Sequence, residues 1–130
     1  MVEVAAQLFG AVESLRADAA RFEQTSPIFG AYFAWSDVPC TVWPVPPTDQ
    51  PHEIHAKGAA PILVVGTTRD PATPYQWAQR LASMLSSGRL LTRVGDGHTA
   101  YQRGSACIDS AVDAYLIHGT LPRTGTVCQT

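Results

Sequence analysis

Two short apolar runs, separated by one helix's length of chain, constrain the fold more than anything else in the sequence. Residues 61–67 and 89–94 are rich in branched aliphatics and show no alternation of polar and apolar positions. That pattern predicts strands buried on both faces, the signature of a parallel sheet. Between them, residues 74–87 predict a helix. Pro74 suits its first turn, Gly88 its stop, and Trp77, Leu81, Met84 and Leu85 recur at helical spacing. Residues 105–118 predict a last helix, with Ile108, Val112, Tyr115 and Leu116 on one side, Ser105 as cap and Gly119 as terminator. Strand, helix, strand, helix implies βαβ connectivity and an α/β fold. Two parallel strands do not cover themselves, so the expected sheet is incomplete.

Upstream, Val4, Leu8, Val12, Leu15, Ala19 and Phe22 trace one face of a helix over residues 2–24, which Pro27 closes. Residues 28–35 are aromatic-rich and continue as a short helix. Residues 36–51 hold Pro39, Pro44, Pro46, Pro47 and Pro51, a density that predicts a loop without regular structure, with Trp43 packed on the body of the fold. The tail from Thr120 to Thr130 reads as irregular. The expected organisation is a helical segment with a proline-rich crossover over residues 1–52, then an α/β region over residues 53–130.

A length of 130 residues bounds the chain to one domain's worth. Only 15% of residues are charged, which is low for a small free-standing domain and points to surface that is normally covered. The net charge is −2 and the nine Lys and Arg residues are scattered, so nucleic acid is not an expected partner. No apolar run is long enough to span a bilayer. The N-terminus lacks the cationic start of a secretory signal. Cys40, Cys107 and Cys128 make an odd count with no zinc-site spacing, and no metal or other cofactor is expected. Three reduced thiols and an incomplete disulfide set both fit that count.

The chemistry lies just past the two apolar runs. In an open parallel sheet, functional groups collect beyond the carboxyl ends of the strands. Asp70 follows the first run and His98 the second, so neighbouring strands bring both to one sheet edge. A carboxylate there accepts a hydrogen bond from imidazole Nδ1–H and stabilises the imidazolium formed when Nε2 takes a proton. The Gly95-Asp96-Gly97 run permits an unusual backbone path before His98. Asp70 before Pro71 is equally natural as a turn residue, and a histidine in a glycine-rich turn is commonly structural. Asp96 competes as the acid, but its place beside His98 favours a turn role. His52, His55 and His118 show no partner pattern. No serine stands in a G-x-S-x-G elbow. In α/β-hydrolases the order is nucleophile, acid, histidine, so acid and histidine without the serine is what the later part of such a fold contains.

Several segments resemble the C-terminal region of the secreted tripeptidyl aminopeptidase-like α/β-hydrolases, serine peptidases of the proline-iminopeptidase clan. They are Pro61-Ile62-Leu63-Val64-Val65-Gly66, Asp70-Pro71-Ala72-Thr73-Pro74, Gly97-His98, Cys107, Tyr115-Leu116, Leu121-Pro122 and Cys128. Ser26-Pro27-Ile28-Phe29-Gly30 and Cys40-Thr41-Val42-Trp43-Pro44 resemble the segment ahead of it. The resemblance implies the C-terminal portion of an α/β-hydrolase fold, with Asp70 as triad acid and His98 as general base. It further implies a disulfide between Cys107 and Cys128, and a partner for Cys40 in upstream sequence. The implied partners are the N-terminal half of the hydrolase and a peptide substrate, in an extracellular or cell-envelope setting. Without nucleophile and oxyanion hole the chain alone is expected to be inactive. An esterase or lipase remnant, or a non-catalytic module that self-associates through its sheet edge, are the competing expectations.

Overall fold

The computed structural model describes residues 2–41, 43–45, 48–50 and 52–129, with side chains from Gly10 onward. The side chains of Val4 and Leu8, and Val42, Pro46, Pro47, Pro51 and Thr130, therefore lie outside the described residues. The chain forms two compact units, Met1–Gln50 and Pro51–Thr130.

In the first unit, α1 (Val2–Thr25) is followed by α2 (Gly30–Trp35) and α3 (Val38–Thr41). Leu15, Ala19 and Ala34 are buried. A Cβ on Gly30 would collide with the Phe22 backbone, so this glycine permits the close approach of α2 to α1. The helical turn α3 departs from the irregular structure expected over residues 36–51. Pro39 tolerates it because the first helical residues need no intrahelical N–H donation. Cys40 and Thr41 donate their N–H groups to the Asp37 carbonyl at 2.9 and 3.1 Å. Trp43 is 68% exposed.

In the second unit, β1 (Ile62–Arg69), α4 (Tyr75–Met84), β2 (Gly88–Asp96), α5 (Ala106–His118) and β3 (Val127–Gln129) follow in order. The strands form a parallel sheet in the order β1-β2-β3. β1 and β2 pair from Ile62↔Gly88 to Arg69↔Asp96, which brings their carboxyl ends level. This is the strand pair expected from the two apolar runs. β3 was not expected: the tail pairs with β2 through Thr92↔Val127, Arg93↔Cys128 and Val94↔Gln129. Its cause is not hydrophobic patterning. A disulfide joins Cys128 to Cys107 in the first turn of α5, and Arg89 donates to Thr124 Oγ1 and the Pro122 carbonyl.

The helix faces also differ in part from their periodicity. Trp77 and Leu81 of α4 are 62% and 40% exposed. Tyr75 and Ala78 lie over the sheet instead, against Gly66, where an added Cβ would stand 2.7 Å from the Ala78 Cβ. The space over the strand glycine is filled by the Ala78 methyl and the edge of the Tyr75 ring, while Trp77 and Leu81 turn outward. The helix stops at Met84 because Leu85 is extended (ψ 131°), short of the expected residue 87. In α5, Ile108 and Val112 are buried with Leu91, Ala100 and Cys128 as the core, while Leu116 is 66% exposed. Left-handed Gly119 closes α5 as expected, and the Gly119 and Thr120 N–H groups donate to the Tyr115 and Ala114 carbonyls. Ser105 stands at the N-cap position, but its side chain makes no capping hydrogen bond and its hydroxyl is buried.

Candidate active site

Asp70 is the first residue after β1, and His98 is the second after β2. Because the strand ends are level, the two side chains meet. His98 Nδ1 stands 3.0 Å from Asp70 Oδ2 and 3.1 Å from Oδ1. The Asp70 side chain is only 4% exposed and the imidazole 52% exposed, so the acid is sheltered and the ring reaches outward.

The local sequence explains how a carboxylate survives there. Pro71 has no N–H, and the chain turns so that the Ala72 and Thr73 N–H groups donate to Asp70 Oδ1 at 2.8 and 2.9 Å. The Thr73 hydroxyl donates to Oδ2 at 2.9 Å, and the Thr99 N–H donates to Oδ2 at 3.3 Å. The Thr73 N–H above all, then the Ala72 N–H, His98 and the Thr73 hydroxyl, hold the Asp70 carboxyl well below the usual carboxylate range, against the opposing effect of burial. Asp70 is thus both the turn residue and the histidine's partner.

On the other strand, Gly97 takes φ +104° and its N–H donates to the Arg69 carbonyl. Thr99, with φ +66°, is left-handed too, which points its N–H at Asp70. Gly95 lies within β2, so of the two glycines it is Gly97 that supplies the unusual path. Asp96 does not compete for His98. Its carboxylate accepts from Arg69 Nε at 2.6 Å and from the Arg69 terminal nitrogen at 2.9 Å. The Arg69 hydrogen bond lowers the Asp96 pKa, and Asp96 raises that of Arg69.

A cavity of about 270 Å³ opens beside the pair, lined by Val65, Thr67, Asp70, Thr73, His98 and Tyr101 among others. A larger hollow of about 510 Å³, between α4 and the β2–β3 strands, contains neither Asp70 nor His98. The other histidines stand apart: His55 Nδ1 lies 3.0 Å from the Met84 carbonyl, and His118 ends α5. Among the described residues, no group of three His, Cys, Asp or Glu side chains is placed to hold a metal ion. Cys40 is exposed and unbonded. Thr73 and Thr99 were not read from the sequence. The three-residue spacing from Asp70 to Thr73 was a usable signal, since Asp side chains bond forward in turns. The Thr99 contribution depends on a left-handed backbone that no composition announces.

A family profile described as TAP-like protein matches residues 26–128. The chain belongs to the TAP-like family of α/β-hydrolases. Three strands with flanking helices form part of that fold, as the motif resemblance implied. Among TAP-like relatives, serine protease Hip1 of Mycobacterium tuberculosis is 53% identical over 89 residues, 68% of this chain and 17% of that protein. Carboxylesterase B of the same species is 48% identical over 89 residues, with the same coverage of 68% and 17%. Tripeptidyl aminopeptidase of Streptomyces lividans is 32% identical over 112 residues, 85% of this chain and 21% of that protein. The chain spans about a fifth of the length of the curated relatives it matches.

Proposed function

We propose that residues 53–130 supply the acid and general base of a Ser-His-Asp peptidase whose nucleophile and oxyanion hole lie in sequence outside these 130 residues. The observation that carries this reading is the 3.0 Å contact of His98 Nδ1 with a sheltered Asp70 at the level ends of two adjacent strands. With Nδ1–H committed to Asp70, Nε2 takes the proton of a serine hydroxyl as it attacks a carbonyl. Asp70 then stabilises the imidazolium, which returns the proton to the leaving amine. Neither carboxylate oxygen needs to be protonated at any step. Alone, the chain lacks the attacking group and most of the rate enhancement.

β1 ends the strand order, so one of its edges is where the strands of an upstream half would pair. The Cys107–Cys128 bond favours an oxidising compartment, outside the cytoplasm, and Cys40 is then the half-bridge to an upstream cysteine. No described helix is long and apolar enough to cross a membrane.

A carboxylesterase reading is favoured by one observation: carboxylesterase B matches over an equally long stretch and at nearly the same identity as the serine protease. Both reactions use the same acid and base and differ in the leaving group. The test is to assay the chain alone, and mixed with the upstream part of a TAP-like relative, on a tripeptide p-nitroanilide and a p-nitrophenyl ester. Amide turnover in the mixture alone, abolished by His98→Ala, is the expected result. Ester turnover without amide turnover would favour the esterase. Turnover by the isolated chain that His98→Ala abolishes would overturn its inactivity.

A further inference from the structure

We propose that Arg93 is a positioning residue for His98, an internal strut that holds both stems of the loop carrying the base. Arg93 lies on β2 opposite Cys128, on the same sheet face as Leu91, two residues away. That face is the core shared with α5, and Arg93 is only 8% exposed. A buried cation is costly unless its donors are used. Among the described residues Arg93 makes no ion pair. Its guanidinium instead donates to two main-chain carbonyls, Asp96 at 3.0 Å and Arg103 at 3.2 Å.

Those carbonyls stand at the entry and exit of residues 97–102, with His98 between them. Within the loop, the Arg103 N–H donates to the Ala100 carbonyl at 3.3 Å and Arg103 Nε to Thr99 Oγ1 at 3.4 Å, both at its exit, and neither reaches the entry stem. Gly97, Thr99 and Gln102 all have positive φ, and Gly104 follows at +83°. For Thr99 and Gln102 this is an unfavourable conformation that the surroundings must enforce. Thr67 Oγ1, the Asp109 carboxylate and Tyr101 pin single points of the loop from outside. Arg93 bonds both stems at once, from inside. The planar fork is what makes this possible; a lysine ammonium on a flexible stem does not present two donors at that fixed span. Nε of Arg93 has no partner among the described residues, so the side chain is spent on the loop rather than on its own satisfaction.

The inference rests on the reading of His98 as the base, and its test separates the two. The nitrogen-15-labelled chain is compared with Arg93→Lys, Arg93→Met and Asp70→Asn by amide exchange and by the imidazole Nδ1–H signal of His98. In both Arg93 variants the hydrogen-bonded amides of Thr99, Gln102 and Arg103 are expected to lose about tenfold or more of their protection, with β1 and α5 held within about twofold. The His98 Nδ1–H signal should broaden along with them, and less in Arg93→Lys than in Arg93→Met. Unchanged loop protection and an unchanged Nδ1–H signal in both variants would overturn the proposal. Protection lost equally across β1 and α5 in both would overturn it as well, since Arg93 would then be a general structural residue. In Asp70→Asn the Nδ1–H signal should be lost. Its persistence would count against the acid–base reading while leaving the Arg93 result on the amides intact.

Discussion

Arg69 and Asp96, the last residues of the two strands that lead to Asp70 and His98, are register partners and close a two-pronged ion pair across the strand ends. Arg69 directly precedes Asp70, and Asp96 lies two residues before His98. The pair therefore ties together the two turns that carry Asp70 and His98. Its side chains are 57% and 79% exposed, so water and salt screen it. Asp96→Asn should lower the melting temperature slightly, and the difference from wild type should shrink at high salt. Thermal unfolding at low and high ionic strength checks this. A large loss of stability independent of salt would show that the pair acts otherwise.

Acid should weaken the second unit through Asp70. Its carboxyl titrates lower in the folded chain than unfolded, where a pKa of about 3.9 is expected. Above that value both states are ionised and the stabilisation is fully present. As pH falls below about 4, the unfolded chain takes up a proton that the folded chain refuses, so stability declines. Melting temperature followed from pH 7 to acid should fall for wild type and fall less steeply for Asp70→Asn. Thr73→Val, which removes one donor to Oδ2, should give an intermediate slope.

Two glycines near the site should fail for different reasons. At Gly97 an added Cβ meets nothing within 4 Å, but φ is +104°, so Gly97→Ala costs about 1–2 kcal/mol of conformational strain. At Gly66 the backbone is ordinary, but the new Cβ would stand 2.7 Å from the Ala78 Cβ and 2.9 Å from the Tyr75 ring. Gly66→Ala should cost about 1–3 kcal/mol by overpacking. Denaturant midpoints measure both. Measured against its own Ala78→Gly background, Gly66→Ala should cost less, the Tyr75 contact remaining, while the cost of Gly97→Ala is unchanged.

Reducing the Cys107–Cys128 bond, which closes a sequence separation of 21, should remove about 3 kcal/mol in the chain-entropy view. β3 should suffer first, since it pairs with β2 over only three residues. Amide exchange of residues 127–129 with and without reductant tests this order. Equal protection in both states would mean that strand pairing holds the tail unaided.

What could be read from residues alone was whatever is local and apolar. The runs at 61–67 and 89–94 announced β1 and β2, and the positions of Asp70 and His98 followed from the chain direction. β3 was illegible because Val127, Cys128 and Gln129 are too few to show a pattern, and a covalent bond and Arg89 put them in place. Which face of α4 meets the sheet was illegible, because the helical spacing of Trp77 and Leu81 says which residues share a side, not which side a glycine in the strand will admit. Arg93 looked like one more scattered charge. Its burial depends on the loop folding back over it, which no window of sequence contains.

The covalent link between α5 and the last strand also decides how the chain bears load. Tension applied beyond Gln129 enters at Cys128 and passes through sulfur to Cys107, in the first turn of α5. The residues from Ile108 to Val127, which include most of that helix and the whole connection to β3, are bypassed. A pull on Gln129 is therefore shared between the β2–β3 pairing and the first turn of α5, a few residues past the His98 loop.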